Sequence, residues 1–359
     1  MSGRILSWLK RVPGLQRLAW MYHVDAIVAE RDRLKAALAD CAVAAHHDPQ
    51  PVRRERDHAQ PRDPVALATA LPKGAWLWCD LEVRRRIQAH GINVVPTNFY
   101  SNTPSIADIE GSFEYASDEP PYVLPADPAS LDAELASLTR YASEFSAPHQ
   151  DPGDSSYFWD NGLFSGADAM AYYCYLRKLA PQRVVEIGSG YSSLVALMAL
   201  KANSKGRLTC IEPYPRDFLK GRHDLDLLQE TAQDITAERL NDLLADGDVL
   251  FIDSTHTVKA GSDCLHIYLR LLPHIRRRIT VHVHDVHLPF AMPKGAMLEK
   301  QCHWTEQYLL LAFLLDNPKA RIRFGTVYHA WRNPGLLEGL MGGKAPAIGA
   351  SFWFEYQGA

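Results

Sequence analysis

Val184-Val185-Glu186-Ile187-Gly188-Ser189-Gly190-Tyr191-Ser192-Ser193 is the stretch that decides how this chain folds. A short apolar run enters a glycine turn, and the turn opens an apolar helix expected over Ser193–Ala202. Strand, glycine turn and helix in that order mark the place where an open α/β sheet binds a nucleotide-like ligand. Outward from it the pattern repeats. A helix is expected over Ala167–Leu179, and strands over Arg183–Ile187, Arg207–Ile211, Asp226–Gln229 and Asp248–Ile252. A helix over Gly261–Leu272 leads to a strand over Thr280–His284, a helix over Trp304–Leu315, and strands over Arg321–Tyr328 and Ala350–Tyr356. This alternation predicts an α/β domain with a mostly parallel sheet.

The glycine turn is not the dinucleotide fingerprint, because Ser193 stands where that pattern needs glycine or alanine. An acid, Glu186, precedes the first glycine instead, where it would repel a pyrophosphate and attract an ammonium. A second acid, Glu212, ends the next strand, where a carboxylate can take both hydroxyls of a ribose. A positively charged ligand with a ribose and an amino-acid tail is S-adenosylmethionine. The glycines let backbone approach such a ligand closely.

From about residue 160 onward the chain resembles the class I S-adenosylmethionine-dependent methyltransferases, in the bacterial branch near sugar and natural-product O-methyltransferases. The resemblance rests on the glycine turn, on Phe251-Ile252-Asp253-Ser254-Thr255-His256, on His282-Val283-His284-Asp285-Val286 and on Trp304-Thr305-Glu306-Gln307-Tyr308. It implies a Rossmann-like class I sheet with an antiparallel C-terminal strand. It also implies that Glu186, Gly188 and Gly190, with Tyr191 and Ser192, hold the methionine side of the cofactor. Glu212 would then hold the ribose, Asp234 would lie near the adenine and Asp253 would complete the cofactor site.

Asp253 ends one expected strand and Asp285 follows the next, so both should emerge at the carboxyl edge, where such sheets bind ligands. Two carboxylates on neighbouring strands can share a hard divalent cation such as Mg²⁺. Related enzymes place a histidine base three residues after the first of these aspartates, which makes His256 the candidate base. They also carry a carboxylate before the second aspartate, whereas this chain has His284, read here as either a second catalytic residue or a hydrogen-bonded strand histidine. His282, His284, Asp285 and His287 do not match the zinc-hydrolase spacing, in which the aspartate falls one position later. The expected activity is methyl transfer from S-adenosylmethionine to a hydroxyl of a sugar, glycan or small metabolite. The rivals are a nicotinamide-dependent oxidoreductase, disfavoured by the missing third glycine, and a non-catalytic scaffold of the same fold.

The rest of the chain bounds this reading. Hydrophobic residues are 47% and charged residues 22% of 359, which excludes disorder of the whole chain. A net charge of -4 argues against nucleic acid as the main partner. Residues 1–45 read as helices in which Trp20, Val24, Ile27, Arg31, Leu34, Leu38 and Cys41 form a heptad seam. That seam suits either a short coiled coil, and so a homo-oligomer, or packing on its own domain. Arg4, Lys10, Arg11 and Arg17 beside Ile5, Trp8 and Leu9 also allow contact with a membrane surface. Residues 46–64 read as a linker, 65–159 as an accessory subdomain on the acceptor side, and 160–359 as the catalytic domain. No apolar run is long enough to span a membrane. Six scattered cysteines suit a reducing compartment, so a cytoplasmic protein is expected.

Overall fold

The computed structural model describes residues 81–95 and 97–358. The expected coiled coil and linker lie outside the described residues. The described residues up to 105 belong to one unit, in which helix α1 (Leu81–Ala89) buries none of its side chains. Residues from 106 onward form the other. Its helices before the sheet are α2 (Ile106–Glu110), α3 (Pro128–Ala142) and α4 (Gly166–Leu179).

The sheet has seven strands: β1 (Arg183–Ile187), β2 (Arg207–Ile211), β3 (Leu225–Leu228), β4 (Val249–Ile252), β5 (Arg278–Val283), β6 (Ala320–Gly325) and β7 (Phe352–Gln357). Their order is β3-β2-β1-β4-β5-β7-β6. The first five are mutually parallel, and β7 runs antiparallel to both of its neighbours. This is a Rossmann-like class I methyltransferase sheet. The strands are apolar at consecutive positions because both faces are covered. Val184, Phe251 and Trp353 point into one core with α3, α4 and α5 (Tyr191–Asn203). Val185, Ile252 and Phe354 point into the other, which contains Ile267 and Leu271 and residues of α6 (Ala237–Leu243). Helix α4 has eleven buried residues, as a helix apolar on nearly every side must.

Several boundaries differ from the sequence reading. Helix α3 packs Leu135 and Leu138 into the first core, so the boundary expected between 159 and 160 falls inside one compact unit. The segment read as one helix over Gly261–Leu272 is a short α-turn, α7 (Asp263–His266), that widens into a π-turn over Ile267–Leu271. Two more helices, α8 (Lys294–Glu299) and α9 (Glu306–Leu314), precede β6. The strand expected over Arg321–Tyr328 stops at Gly325, and α10 (Thr326–Arg332) begins there. The Thr326 hydroxyl donates to Asp168 at 2.9 Å and its backbone N–H to the carbonyl of Ser351, and this turns the chain away from the sheet. Helix α11 (Pro334–Met341) then leads back to β7. Among the described residues no helix is long and apolar enough to cross a membrane.

Candidate active site at the carboxyl edge of the sheet

The parallel ladder runs one residue beyond the strands. Gly188 donates to the carbonyl of Ile211, Glu212 to Leu228, Asp253 to Ile187 and His284 to Ile252, at 2.8–3.0 Å. These four residues therefore emerge in one row at the carboxyl edge. Gly188 has φ +84, and a Cβ there would sit 1.9 Å from the carbonyl oxygen of Asp253. Glycine is required because β1 and β4 approach so closely. Gly190 differs: a Cβ there would meet nothing within 4 Å. Gly190, Tyr191 and Ser192 line a pocket of about 220 Å³ together with Arg216, Asp253, His284 and Asp285. Helix α5 starts at this pocket with no side-chain cap on its first N–H groups, an arrangement suited to a negative charge. A larger cavity of about 840 Å³, beside Met198 and Lys201, contains none of the expected site residues. Volume alone does not choose the site.

Three expected cofactor residues are placed differently. Glu186 is fully buried and does not line the pocket. Its oxygens accept hydrogen bonds from Tyr172 at 2.9 Å and Ser193 at 2.5 Å. Side chains alternate along a strand, and Glu186 shares with Val184 the face covered by α4 and α5. Burial pushes its pKa up to about 7, although both hydroxyls favour the charged form. Glu212 accepts the backbone N–H of Ser189 at 3.2 Å and of Tyr214 at 2.8 Å, holding the shape of the glycine turn. Asp234 is exposed and closes a capping box with Thr231. Neither Glu212 nor Asp234 lines the pocket.

The second constellation does assemble. His256 is buried in the loop after β4, with φ +58, a conformation unusual for a residue bearing a Cβ. Its Nδ1 lies 2.8 Å from Glu306 Oε2, and its Nε2 is 3.3 Å from Asp253 Oδ1 and 3.5 Å from Asp285 Oδ2. His284 mirrors it from the end of β5. Its Nε2 is 3.3 Å from Asp168 Oδ2, and its Nδ1 is 3.5 Å from Asp253 Oδ1 and 3.7 Å from Asp285 Oδ2. Each histidine thus stands between the two edge aspartates and a buried carboxylate behind it. Glu306 also accepts from Ser254 at 2.8 Å and Tyr268 at 3.0 Å. Asp168 also accepts from Thr326 and from the N–H groups of Ala350 and Ser351.

The electrostatics follow from that geometry. Burial opposes a charged His256, but Asp253 and Glu306 outweigh it and push the pKa up to about 10. Burial likewise opposes a charged His284, yet Asp253 and Asp168 raise its pKa well above the usual value. Burial alone would raise Asp253, but the two rings hold its carboxyl well below the usual carboxylate range. His256 is thus held between Glu306 on one ring nitrogen and Asp253 and Asp285 on the other.

Asp168 and Glu306 were not singled out from sequence. The available signal was a lone acid in each of two apolar segments, Gly166-Ala167-Asp168-Ala169-Met170 and Trp304-Thr305-Glu306-Gln307-Tyr308. His282 takes no part, since its ring stacks 4.1 Å from Trp353 and its Nε2 lies 2.7 Å from the Ser351 hydroxyl. Magnesium does not fit this donor set. It takes a near-octahedral oxygen shell that keeps several waters, and here two imidazole nitrogens crowd the same two carboxylate oxygens.

A family model described as a methyltransferase domain matches residues 185–286, from β1 to just past β5. An uncharacterised protein of Archaeoglobus fulgidus is 30% identical over 152 residues, covering 39% of this chain and 69% of the relative. The chain belongs to the class I methyltransferase family. Solved structures similar to this methyltransferase include the O-methyltransferase TomG of Streptomyces achromogenes, in complex with S-adenosylmethionine. It is 17% identical, with 66% of this chain and 92% of that one covered and a TM-score of 0.36. An O-methyltransferase of Bacillus cereus in complex with S-adenosylhomocysteine is 13% identical, with 65% and 93% covered and a TM-score of 0.34. No residue role in this methyltransferase is drawn from likenesses at that level.

Proposed function

We propose that this methyltransferase moves the methyl group of S-adenosylmethionine to a hydroxyl of a small-molecule or glycan acceptor. The observation that carries the reading is the meeting, in one pocket, of the glycine turn with the Asp253–His284–Asp285 edge. The residues present suit an amino-acid tail with both charges. The start of α5 and Arg216 would hold its carboxylate, and Asp253 its ammonium. The open space beside Gly190 leaves room for backbone and ligand to touch. When bound, the cofactor supplies an electrophilic methyl on a positively charged sulfur, which favours departure of the thioether. Tyr191 and Ser192 position the tail, and Glu212 steadies the turn beneath it.

On the acceptor side the cluster of Asp253, His256, His284 and Asp285 handles the hydroxyl proton as a unit. The new O–C bond forms as the S–C bond breaks, and alignment of the two by the pocket contributes most of the rate. The test is incubation with methyl-tritiated S-adenosylmethionine and a panel of sugars and hydroxylated small molecules, with product analysis. Alkali-stable O-methyl label, and loss of kcat in His256→Ala with little change in cofactor affinity, support the reading. Label on nitrogen or carbon, or a His256→Ala enzyme as fast as the parent, would overturn it.

A further inference from the structure

Given a pocket that takes S-adenosylmethionine, the reading on which this rests, we propose that Leu163 is an apolar cover for the carbons beside the cofactor's sulfur and that Asn161 positions it. Leu163 and Phe164 line the pocket from the loop before α4, together with Gly190, Asp253 and His284. The remaining side chains of the lining are charged, hydroxyl-bearing or aromatic, so among the described residues Leu163 is its one aliphatic side chain. The two neighbours divide the work. Phe164 is 3% exposed and packs its ring 5.1 Å from that of His284, whereas Leu163 is 56% exposed. Phe164 therefore belongs to the core, and Leu163 is left for a ligand.

The ligand has the matching chemistry. S-adenosylmethionine carries charge at its amino-acid tail and at its sulfur, with uncharged methylenes between them. The polar lining answers the charges, and Leu163 answers the methylenes. Contact between them takes apolar surface of both partners out of water.

A single exposed leucine is ordinary on a protein surface, but this one is held in place. The Asn161 amide nitrogen donates to the carbonyls of Phe158 at 2.7 Å and Phe164 at 2.9 Å. Its oxygen accepts the N–H groups of Leu163 at 3.0 Å and Phe164 at 2.9 Å. These bonds use the whole donor and acceptor capacity of one side-chain amide. They close a turn in which Gly162 takes φ +74, a conformation open to glycine. The rest of the loop is tied as well. The Tyr157 hydroxyl donates to the Phe164 carbonyl at 3.0 Å, and the Ser165 hydroxyl to the Trp159 carbonyl at 2.5 Å. Leu163 is thus presented already ordered, and binding does not carry the cost of ordering it.

The test is calorimetric titration of the full chain with S-adenosylhomocysteine, which keeps the tail, the sulfur and the methylenes and needs no acceptor. Leu163→Ala should weaken binding roughly tenfold, the scale of one or two lost methylene contacts. Leu163→Met should bind within about threefold of the parent, since it restores the apolar contact. Both variants should melt with the parent, because the side chain lies outside the core. Asn161→Ala should weaken binding at least as much, and adding Leu163→Ala to it should cost little more, because Asn161 acts through Leu163. Asn161→Asp, which keeps the shape but loses both donated bonds, takes its place in the cycle if Asn161→Ala does not fold. A parent that binds nothing overturns the cofactor reading and the cover with it. A parent that binds, with Leu163→Ala within about twofold of it, overturns the cover alone. Losses that multiply in the double variant would overturn the positioning role of Asn161.

Discussion

The two halves of the sheet's carboxyl edge treat their buried acids differently. In the β1–β2 half, Glu186 accepts from neutral donors, the hydroxyls of Tyr172 and Ser193 and the thiol of Cys210, and is fully buried. In the β4–β5 half, Asp168 and Glu306 are just as buried, but each faces an imidazole. Neutral partners leave burial in control, and the Glu186 pKa rises to about 7. Charged partners win over burial, and Asp168 is held below the usual carboxylate range. The first half is built to hold a shape and the second to hold charge next to a pocket.

A large effect is expected where the halves touch. Gly188→Val adds a side chain at positive φ against the Asp253 carbonyl. Left-handed strain and overpacking should together cost about 2–5 kcal/mol. Urea unfolding measures this, and a variant within about 1 kcal/mol of the parent would show that the two strands are not locked together there.

Next is the contrast between the acids. Glu306→Ala should destabilise by about 3–5 kcal/mol, since it leaves buried His256 without its carboxylate partner. Glu186→Gln keeps the shape and should cost about 1 kcal/mol at low pH, where the acid is protonated, and should be neutral or stabilising above about pH 7. Equal losses would erase the distinction between the halves.

The pH dependence sharpens it. The folded pKa of Glu186 is raised from 4.5 to about 7, so the unfolded chain releases this proton first as pH rises. This group's contribution is present in full below about pH 4.5 and is lost by about pH 7, a change of about 3 kcal/mol. Glu186→Gln should remove that slope from the parent's stability profile. A variant whose profile parallels the parent's would show that Glu186 is not held protonated.

The smallest effect is expected for Tyr172→Phe, about 1 kcal/mol for one lost hydrogen bond. It should raise the Glu186 pKa further and leave cofactor affinity unchanged, because Tyr172 does not line the pocket. A large loss of affinity would put this residue back in the site.

The same division explains what could be read from sequence. Strands β1 and β2 carry the boundaries expected for them, because each is a short apolar run closed by an acid or a glycine. Helix α3 was missed, although Asp127 caps it and Pro128 opens it, because its surroundings are rich in proline and turns. Asp253, His284 and Asp285 were legible because strand ends of a parallel sheet share one edge. The roles of Asp168 and Glu306 were not, because they come from helices distant in sequence and act only through histidines brought to them by folding. Glu186 was legible as a motif and misread in direction, since alternation along one strand decides whether an acid faces a ligand or a helix.

The central claim is that the pocket beside the glycine turn takes S-adenosylmethionine. Calorimetric titration with S-adenosylhomocysteine, of the parent and of Gly190→Val, tests it most directly. Nothing lies within 4 Å of a Cβ at position 190, and the melting temperature of the variant reports any cost of the substitution to the fold. The account predicts one equivalent bound at micromolar affinity by the parent and none by the variant. No heat with the parent, or equal binding by both, would contradict it.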